Sequence, residues 1–391
     1  MGPAPRIDGV APSWKSQMQR DGTPIKHSWK WPQAGDKPEV RYNLEPIGPH
    51  AGTELDPLCQ LAAKDLMGRL ATAIPSAPID NTLFNHFTPM LFEHSTNPAA
   101  ATKSGNTMHS AVFIAAEFLP DSINFKTYIQ PPTSAHEELM TGIELDSPAR
   151  SMVNDFLRNS DEGKLMTPFR LGVDDKAGSR LKWYFKSPNT SFASVRNIMT
   201  LGGCIKTPYT ERQLAELHSL VKAILGLPDG FSETEGPAGF RSPYNFPPPS
   251  HTADGIDTST PSPMLSGYSY YFDVAPGLEF PGIKWSLPVR EYDRDDLSVA
   301  KALTAWMERQ GRGAYSKRYL SLLMRLAAEK GLRLDESRGL QESISILLKP
   351  DGGFDITTYF SSHAFDGQKE KQRVLPSFRK GRRRRGGDLY F

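Results

Sequence analysis

Two short turns constrain this chain more than any other feature. Pro350-Asp-Gly-Gly353 joins two segments that alternate apolar and polar residues, Ser343 to Lys349 and Phe354 to Ser361. Leu119-Pro-Asp-Ser122 joins a second such pair, Ser110 to Phe118 and Ile123 to Gln130. Side chains alternate across a strand, and turns rich in Pro, Asp and Gly close hairpins. Hairpins make neighbouring strands antiparallel, whereas parallel strands need a long crossover. A doubly wound parallel nucleotide-binding sheet is therefore disfavoured. Further strands are expected at Glu39 to Ile47, Arg180 to Lys186, Tyr268 to Val274 and Ile283 to Val289. Helical spacing marks Asp56 to Ala73, His136 to Arg158, Thr210 to Leu225, Leu297 to Gln310 and Lys317 to Lys330. Thr210 reads as an N-capped start and Leu225-Gly226, with Pro228 beyond, as a stop. The order is helices, then a strand pair, repeated.

A chain of 391 residues suggests two or three domains, or one large barrel. The irregular stretch Pro228 to Pro263 is too long for an ordinary loop. The same pattern resumes after it, so it reads as an insert within one domain. The 46 Lys and Arg nearly balance the 44 Asp and Glu, which gives no global attraction to nucleic acid or to an acidic membrane. The one basic run, Arg379 to Arg385, reads as a solvated end. Two cysteines, Cys59 and Cys204, are too few for a disulfide framework or a cysteine zinc site. The most apolar run, Ala111 to Leu119, is far shorter than a membrane span, and the first residues lack a signal-peptide core. A cytoplasmic protein is the default expectation.

The strands carry cations opposite their apolar faces. In Arg180-Leu-Lys-Trp-Tyr184, Arg180, Lys182 and Tyr184 point one way and Leu181 and Trp183 the other. Arg41, Lys126 and Lys284 sit in similar alternations. If the strands close into a barrel, these five cations converge in its lumen. Left unpartnered there they would be costly, and a polyanion such as a diphosphate would neutralise them. Tyr128, Tyr184 and Tyr359 add π faces able to shield a carbocation. An open sheet with its charged face in water stands about level with this reading, and a nucleic-acid-binding sheet stands third. Other signals are weak. Asp174-Asp175 reads as a loop and Asp293 to Asp296 as a helix start. No Walker loop, HExxH or DDxxD cluster is present, nor a paired histidine spacing for a metal. Asn189-Thr-Ser191 matches a glycosylation sequon, with nothing else pointing to secretion.

Six ordered blocks resemble the fungal aromatic prenyltransferases of the dimethylallyltryptophan synthase type. They are TPIKHSWKW (23–31), VRYNLEPIGPHAGTELDP (40–57), INFKTYIQPP (123–132), SRLKWYFKSPNTSFASVRNIMTLGG (179–203), YYFDVAPGLEFPGIKWSLPVREY (270–292) and KPDGGFDITTYFSS (349–362). The resemblance implies an α+β fold: a ten-stranded antiparallel barrel ringed by helices, built from ααββ units. It implies one domain over 23–365, with an N-terminal extension (1–22), the insert at 228–263 and a tail at 366–391. It implies transfer of an allylic group from its diphosphate to an electron-rich arene, with no required cofactor or metal. The partners would be the prenyl diphosphate and a small aromatic acceptor, in a monomer or homodimer. The diphosphate cradle would be Arg41, Lys126, Arg180, Lys182 and Lys284, and the cation shield Tyr128, Tyr184 and Tyr359.

Four departures from the family pattern bear on the substrates. Lys26, beside His27, stands where indole-alkylating members carry a glutamate. Phe113 stands near the position of a basic lysine. Ser286 and Ser343 stand in blocks that usually supply shield tyrosines. Only 22 residues precede the first block, fewer than is usual. The first two departures favour a phenolic or polyketide-derived acceptor, whose hydroxyl activates the ring, with His27 as the candidate proton acceptor. The serines suggest room for a geranyl tail. The alternatives are an indole acceptor or a non-catalytic barrel that binds a prenyl phosphate.

Overall fold

The computed structural model describes residues 22–92 (except 52–54, 57, 58, 76 and 78), 111–131 (except 120), 147–239 and 267–362, with 16, 18 and 19. The expected tail, residues 240–263 of the insert and residues 136–146 of the helix expected from His136 lie outside them. Ten strands form one closed antiparallel barrel. In chain order they are β1 (Ile25–Lys30), β2 (Glu39–Leu44), β3 (Ala111–Phe118), β4 (Ile123–Gln130), β5 (Thr167–Asp174), β6 (Leu181–Ser187), β7 (Tyr268–Val274), β8 (Gly282–Leu287), β9 (Gln341–Leu348) and β10 (Phe354–Ser361). Each pairs with its chain neighbours, and β1 pairs with β10 to close the circle.

Eight helices surround the barrel among the described residues. They are α1 (Leu61–Ala73), α2 (Thr82–Phe92), α3 (Pro148–Asn159), α4 (Asp161–Lys164), α5 (Phe192–Met199), α6 (Thr210–Leu225), α7 (Asp296–Arg309) and α8 (Ser316–Glu329). The barrel's outward positions are apolar and form one core with the helices. Leu181, Trp183 and Phe185 of β6 meet Leu214, Leu217 and Ile224 of α6 in that core. Burying such side chains supplies the main favourable term of the fold. Thr210 is the first residue of α6, with Tyr209 at the cap position, and Gly226 ends the helix in the left-handed conformation. Asp295 caps α7 by accepting a bond from the Ser298 N–H.

The Pro350 turn closes β9 onto β10 as expected. Gly352 takes φ +86, and the Lys349 N–H donates to the Gly353 carbonyl at 2.9 Å. The Gln213 amide of α6 donates to both the Lys349 and Gly353 carbonyls, which ties the hairpin to a helix. The barrel seam is pinned by buried Arg312, whose guanidinium donates to the carbonyls of Trp31, Pro32 and Phe354. The described start of the insert, 228–239, packs on α5: the Ala193 N–H donates to the Glu233 carbonyl, and Glu233 pairs with Arg196.

Candidate active site

Strand register stacks the luminal residues in three layers. Across the first, Arg41 faces Glu117, Lys126 faces Asp174, and Lys182 faces Asp273. Here the structure departs from the expectation of unpartnered cations. Arg41 pairs with both Glu39 and Glu117. Lys126 reaches the other Glu117 oxygen at 3.0 Å. Lys182 is buried against Asp174. Arg180 bridges Asp174 and Asp273 at 3.3 and 2.9 Å. Lys284 lies 3.4 Å from Asp355 and from the Thr357 hydroxyl. Lys30 bridges Glu39 at 2.9 Å and Asp355 at 3.8 Å. Arg180, just before β6, is exposed, whereas the others are buried or half-buried; cations so enclosed need counter-charges, and the chain supplies them. Asp174 therefore belongs to the luminal end of β5 rather than to a loop, while Asp175 beyond it faces outward to the Thr127 hydroxyl at 2.8 Å.

The electrostatics fit a tightly balanced ring. Burial alone would raise the Glu117 carboxyl, but Lys126 and Arg41 hold it down at about 2. Burial likewise opposes ionisation of Asp355, yet Lys284 and Lys30 keep it at about 2. Burial pushes the Lys182 ammonium down to about 8, although Asp174 pulls the other way. Asp273, the deeply buried partner of Arg180, is raised by its burial.

The second layer is aromatic. Tyr128 and Tyr184 meet edge-to-face with centroids 6.0 Å apart, and Tyr184 lies 5.1 Å from Tyr271. Gly172, between them on β5, makes this approach possible: a Cβ there would sit 3.0 Å from the Tyr128 ring and 3.3 Å from Tyr184. Burial raises all three tyrosines, so their hydroxyls stay protonated. Tyr359 completes this side of the lumen opposite Ser28.

The third layer holds the remaining polar groups. Lys26 points inward, 2.8 Å from Glu342 and over the Tyr359 ring at 5.3 Å. Glu342 reaches it from the register break of β9 opposite Tyr359 and Phe360. Phe113 carries the Arg170 guanidinium over its face at 4.7 Å, and Arg170 also donates to the Gln130 amide oxygen at 2.8 Å. Ser286 stands between Ser269 and Ser345 on the neighbouring strands, and Ser343 faces Tyr359. His27 is the exception among the expected residues. It alternates with Lys26 and Ser28, so it points outward, where it is exposed and lies 3.1 Å from the Ser362 hydroxyl. Sequence reasoning missed the carboxylates, Tyr271, Arg170 and Lys186. The same alternation, applied to every expected strand, would also have selected Glu117, Tyr271, Asp273 and Lys186.

The closed barrel thus lines its lumen with paired cations and carboxylates and with tyrosine faces. The chain belongs to the family described as tryptophan dimethylallyltransferase, whose profile matches residues 1–321. It is an aromatic prenyltransferase of that family. It is 41% identical over 398 residues to the prenyltransferase anuH of Penicillium roqueforti, covering 98% of this chain and 85% of the relative. It is 38% identical over 406 residues to xanthone prenyltransferase B of Emericella nidulans, covering 100% of this chain and 84% of the relative. Among solved structures it resembles AnaPT from Neosartorya fischeri, with TM-score 0.70 and 20% identity over 92% of this chain and 83% of that one. NotF in complex with brevianamide F and DMSPP gives TM-score 0.68 at 21% identity, over 90% and 82%. At these identities the two structures bear on the fold. None of the described helices is long and apolar enough to cross a membrane.

Proposed function

We propose that the protein transfers a dimethylallyl or geranyl group from its diphosphate to a phenolic or polyketide-derived ring, and that it does so without a required metal ion. The observation that carries the donor half is the cluster of Arg41, Lys126, Lys182 and Lys284 on the strands, with Arg180 immediately before β6, all paired to the carboxylates Glu117, Asp174, Asp273 and Asp355. These groups would bind the diphosphate and stabilise it as the C–O bond breaks, a preorganised electrostatic role. The allylic cation then forms beside Tyr128, Tyr184 and Tyr271, whose faces favour positive charge. The closed barrel excludes water that would quench it. The arene attacks, and loss of the ring proton restores aromaticity.

Support for a phenolic acceptor comes from two positions. β1 offers Lys26, already paired with Glu342, where a carboxylate for an indole N–H would stand. Phe113, under Arg170, offers no base. A relative named as a xanthone prenyltransferase agrees with an acceptor other than indole. The run of Ser269, Ser286 and Ser345 across three adjacent strands leaves one wall of small side chains, which suits the longer donor. The test is a mass assay with EDTA present, pairing dimethylallyl and geranyl diphosphate with phenol and indole panels. Prenylated phenols are expected. Products from indoles alone, or turnover only after magnesium is restored, would defeat the corresponding half of the reading.

A further inference from the structure

Lys186 stands apart from the other luminal cations. Lys26, Lys30, Arg41, Lys126, Arg180, Lys182 and Lys284 each have a carboxylate partner, and Arg170 is bonded to Gln130. The ammonium of half-buried Lys186 makes no hydrogen bond or ion pair among the described residues. Its one recorded contact is the Phe169 ring, 5.5 Å from Nζ. An enclosed ammonium with no carboxylate in contact is costly, and the remaining cations show that this chain supplies such partners readily. This leaves the Lys186 ammonium available to a ligand.

Its place in the barrel says which part of a ligand it meets. Lys182, Tyr184 and Lys186 follow one another on the inner face of β6. Each step of two residues is about 6.6 Å along the strand. A donor with its diphosphate at Arg180 and Lys182 has its reactive carbon near the Tyr184 layer. An aromatic ring stacked against that carbon projects its substituents toward Lys186, which is flanked by Thr167 and Ser269. The charged groups facing Lys186 are Arg170 from β5, Lys26 from β1, Glu342 from β9 and Glu291 from the turn after β8.

We propose that Lys186 is a catalytic residue that takes the proton of the acceptor's phenolic hydroxyl as the ring attacks the allylic cation. The proposal rests on the phenolic reading above. As the C–C bond forms, the O–H proton passes to the neutral amine, leaving a neutral dienone and an ammonium. The ring carbon then loses its proton to the departed diphosphate or to water. The ammonium returns its proton to the oxygen, so the amine is regenerated and one proton leaves overall. Burial, with Arg170 and Lys26 nearby, brings this ammonium down to about 8 against the pull of Glu291 and Glu342. A useful share is thus neutral near pH 7–8, as a general base requires.

The test compares the wild type, Lys186→Ala and Lys186→Arg over pH, with a phenolic acceptor varied at saturating donor. The wild-type kcat/KM for acceptor should rise to a plateau with an apparent pKa near 8. Both variants should lose that limb and fall ~10²–10⁴-fold at the plateau, since a guanidinium cannot accept the proton. Added methylamine or ethylamine should restore part of the Lys186→Ala loss, a readout that a packing role would not move. Activity of Lys186→Arg equal to wild type would overturn the proposal in favour of charge alone, and an unchanged limb in Lys186→Ala would overturn it outright. If the wild type prenylates no phenol, the phenolic reading falls and this one with it. If it prenylates phenols and Lys186→Ala does so equally well, only this one falls.

Discussion

Removing the carboxylate that bridges Arg41 and Lys126 tests how the lumen binds its donor. Glu117 is buried, and its oxygens engage Arg41 and Lys126 separately. Glu117→Gln keeps the shape and removes the charge, leaving two mostly buried cations short of a partner. Loss of one member of such a network costs about 3–5 kcal/mol, and retained amide bonds bring the expectation to about 3 kcal/mol. At roughly 2 °C per kcal/mol for a large domain, the free protein should melt ~6 °C lower. The diphosphate would meet the same two cations. A donor that replaces Glu117 regains what the free variant lost, so affinity should rise. Recovery of half the loss, about 1.5 kcal/mol, gives ~10-fold tighter binding. Thermal melts with and without a non-hydrolysable thiolodiphosphate donor, with calorimetry for Kd, measure both quantities. A destabilised variant that binds the donor more weakly would refute the reasoning, since it would make Glu117 a scaffold for the cradle rather than its stand-in anion.

Four further outcomes are expected. Arg180→Ala and Lys182→Ala should each raise the donor KM ~10–100-fold, the worth of one charged hydrogen bond. In the wild type the donor KM should climb above pH 8 as Lys182 loses its proton, and near-wild-type kinetics in both variants would remove the cradle assignment. Ser286→Tyr should shift preference from geranyl toward dimethylallyl diphosphate in a competition assay, because the ring fills the serine wall formed with Ser269 and Ser345; an unchanged ratio would show that the tail lies elsewhere. Burial raises Asp175 from 3.8 to about 7. The folded state thus holds this proton more tightly than the unfolded chain, and the associated stability is present below pH 4 and lost as pH rises toward 7. The loss is about 4 kcal/mol. Asp175→Asn should flatten that slope in a pH series of melts and stabilise the protein at pH 8; parallel wild-type and variant curves would contradict the assignment.

The strand pairs with strong turns were legible because local chemistry decides them. Ile123–Gln130, Tyr268–Val274 and Phe354–Ser361 fall where alternation put them. β5 was missed because its luminal positions include Gly172 and its run is broken by Pro168 at a register shift. β1 carries Lys26, Ser28 and Lys30 inside and His27 outside, a polar stretch with little periodic contrast. That also explains the failure at His27: only the register with β2 and β10 decides which of two adjacent basic residues faces the lumen. The cations themselves were legible one strand at a time. Their carboxylates were not, because Glu117, Asp174, Asp273 and Asp355 become partners only when β2 to β10 close around one axis. Lys186 lay in a recognised strand and went unremarked, since what distinguishes it is a missing partner.

A crystal structure with dimethylallyl thiolodiphosphate bound tests the central claim most directly. The diphosphate oxygens should lie within hydrogen-bond distance of Arg41, Lys126, Arg180, Lys182 and Lys284, with the prenyl carbons against Tyr128, Tyr184 and Tyr271. Glu117 and Asp174 should have yielded some of their bonds to the phosphate. A donor bound outside the lumen, with the Arg41–Glu117 and Lys182–Asp174 pairs intact, would contradict it.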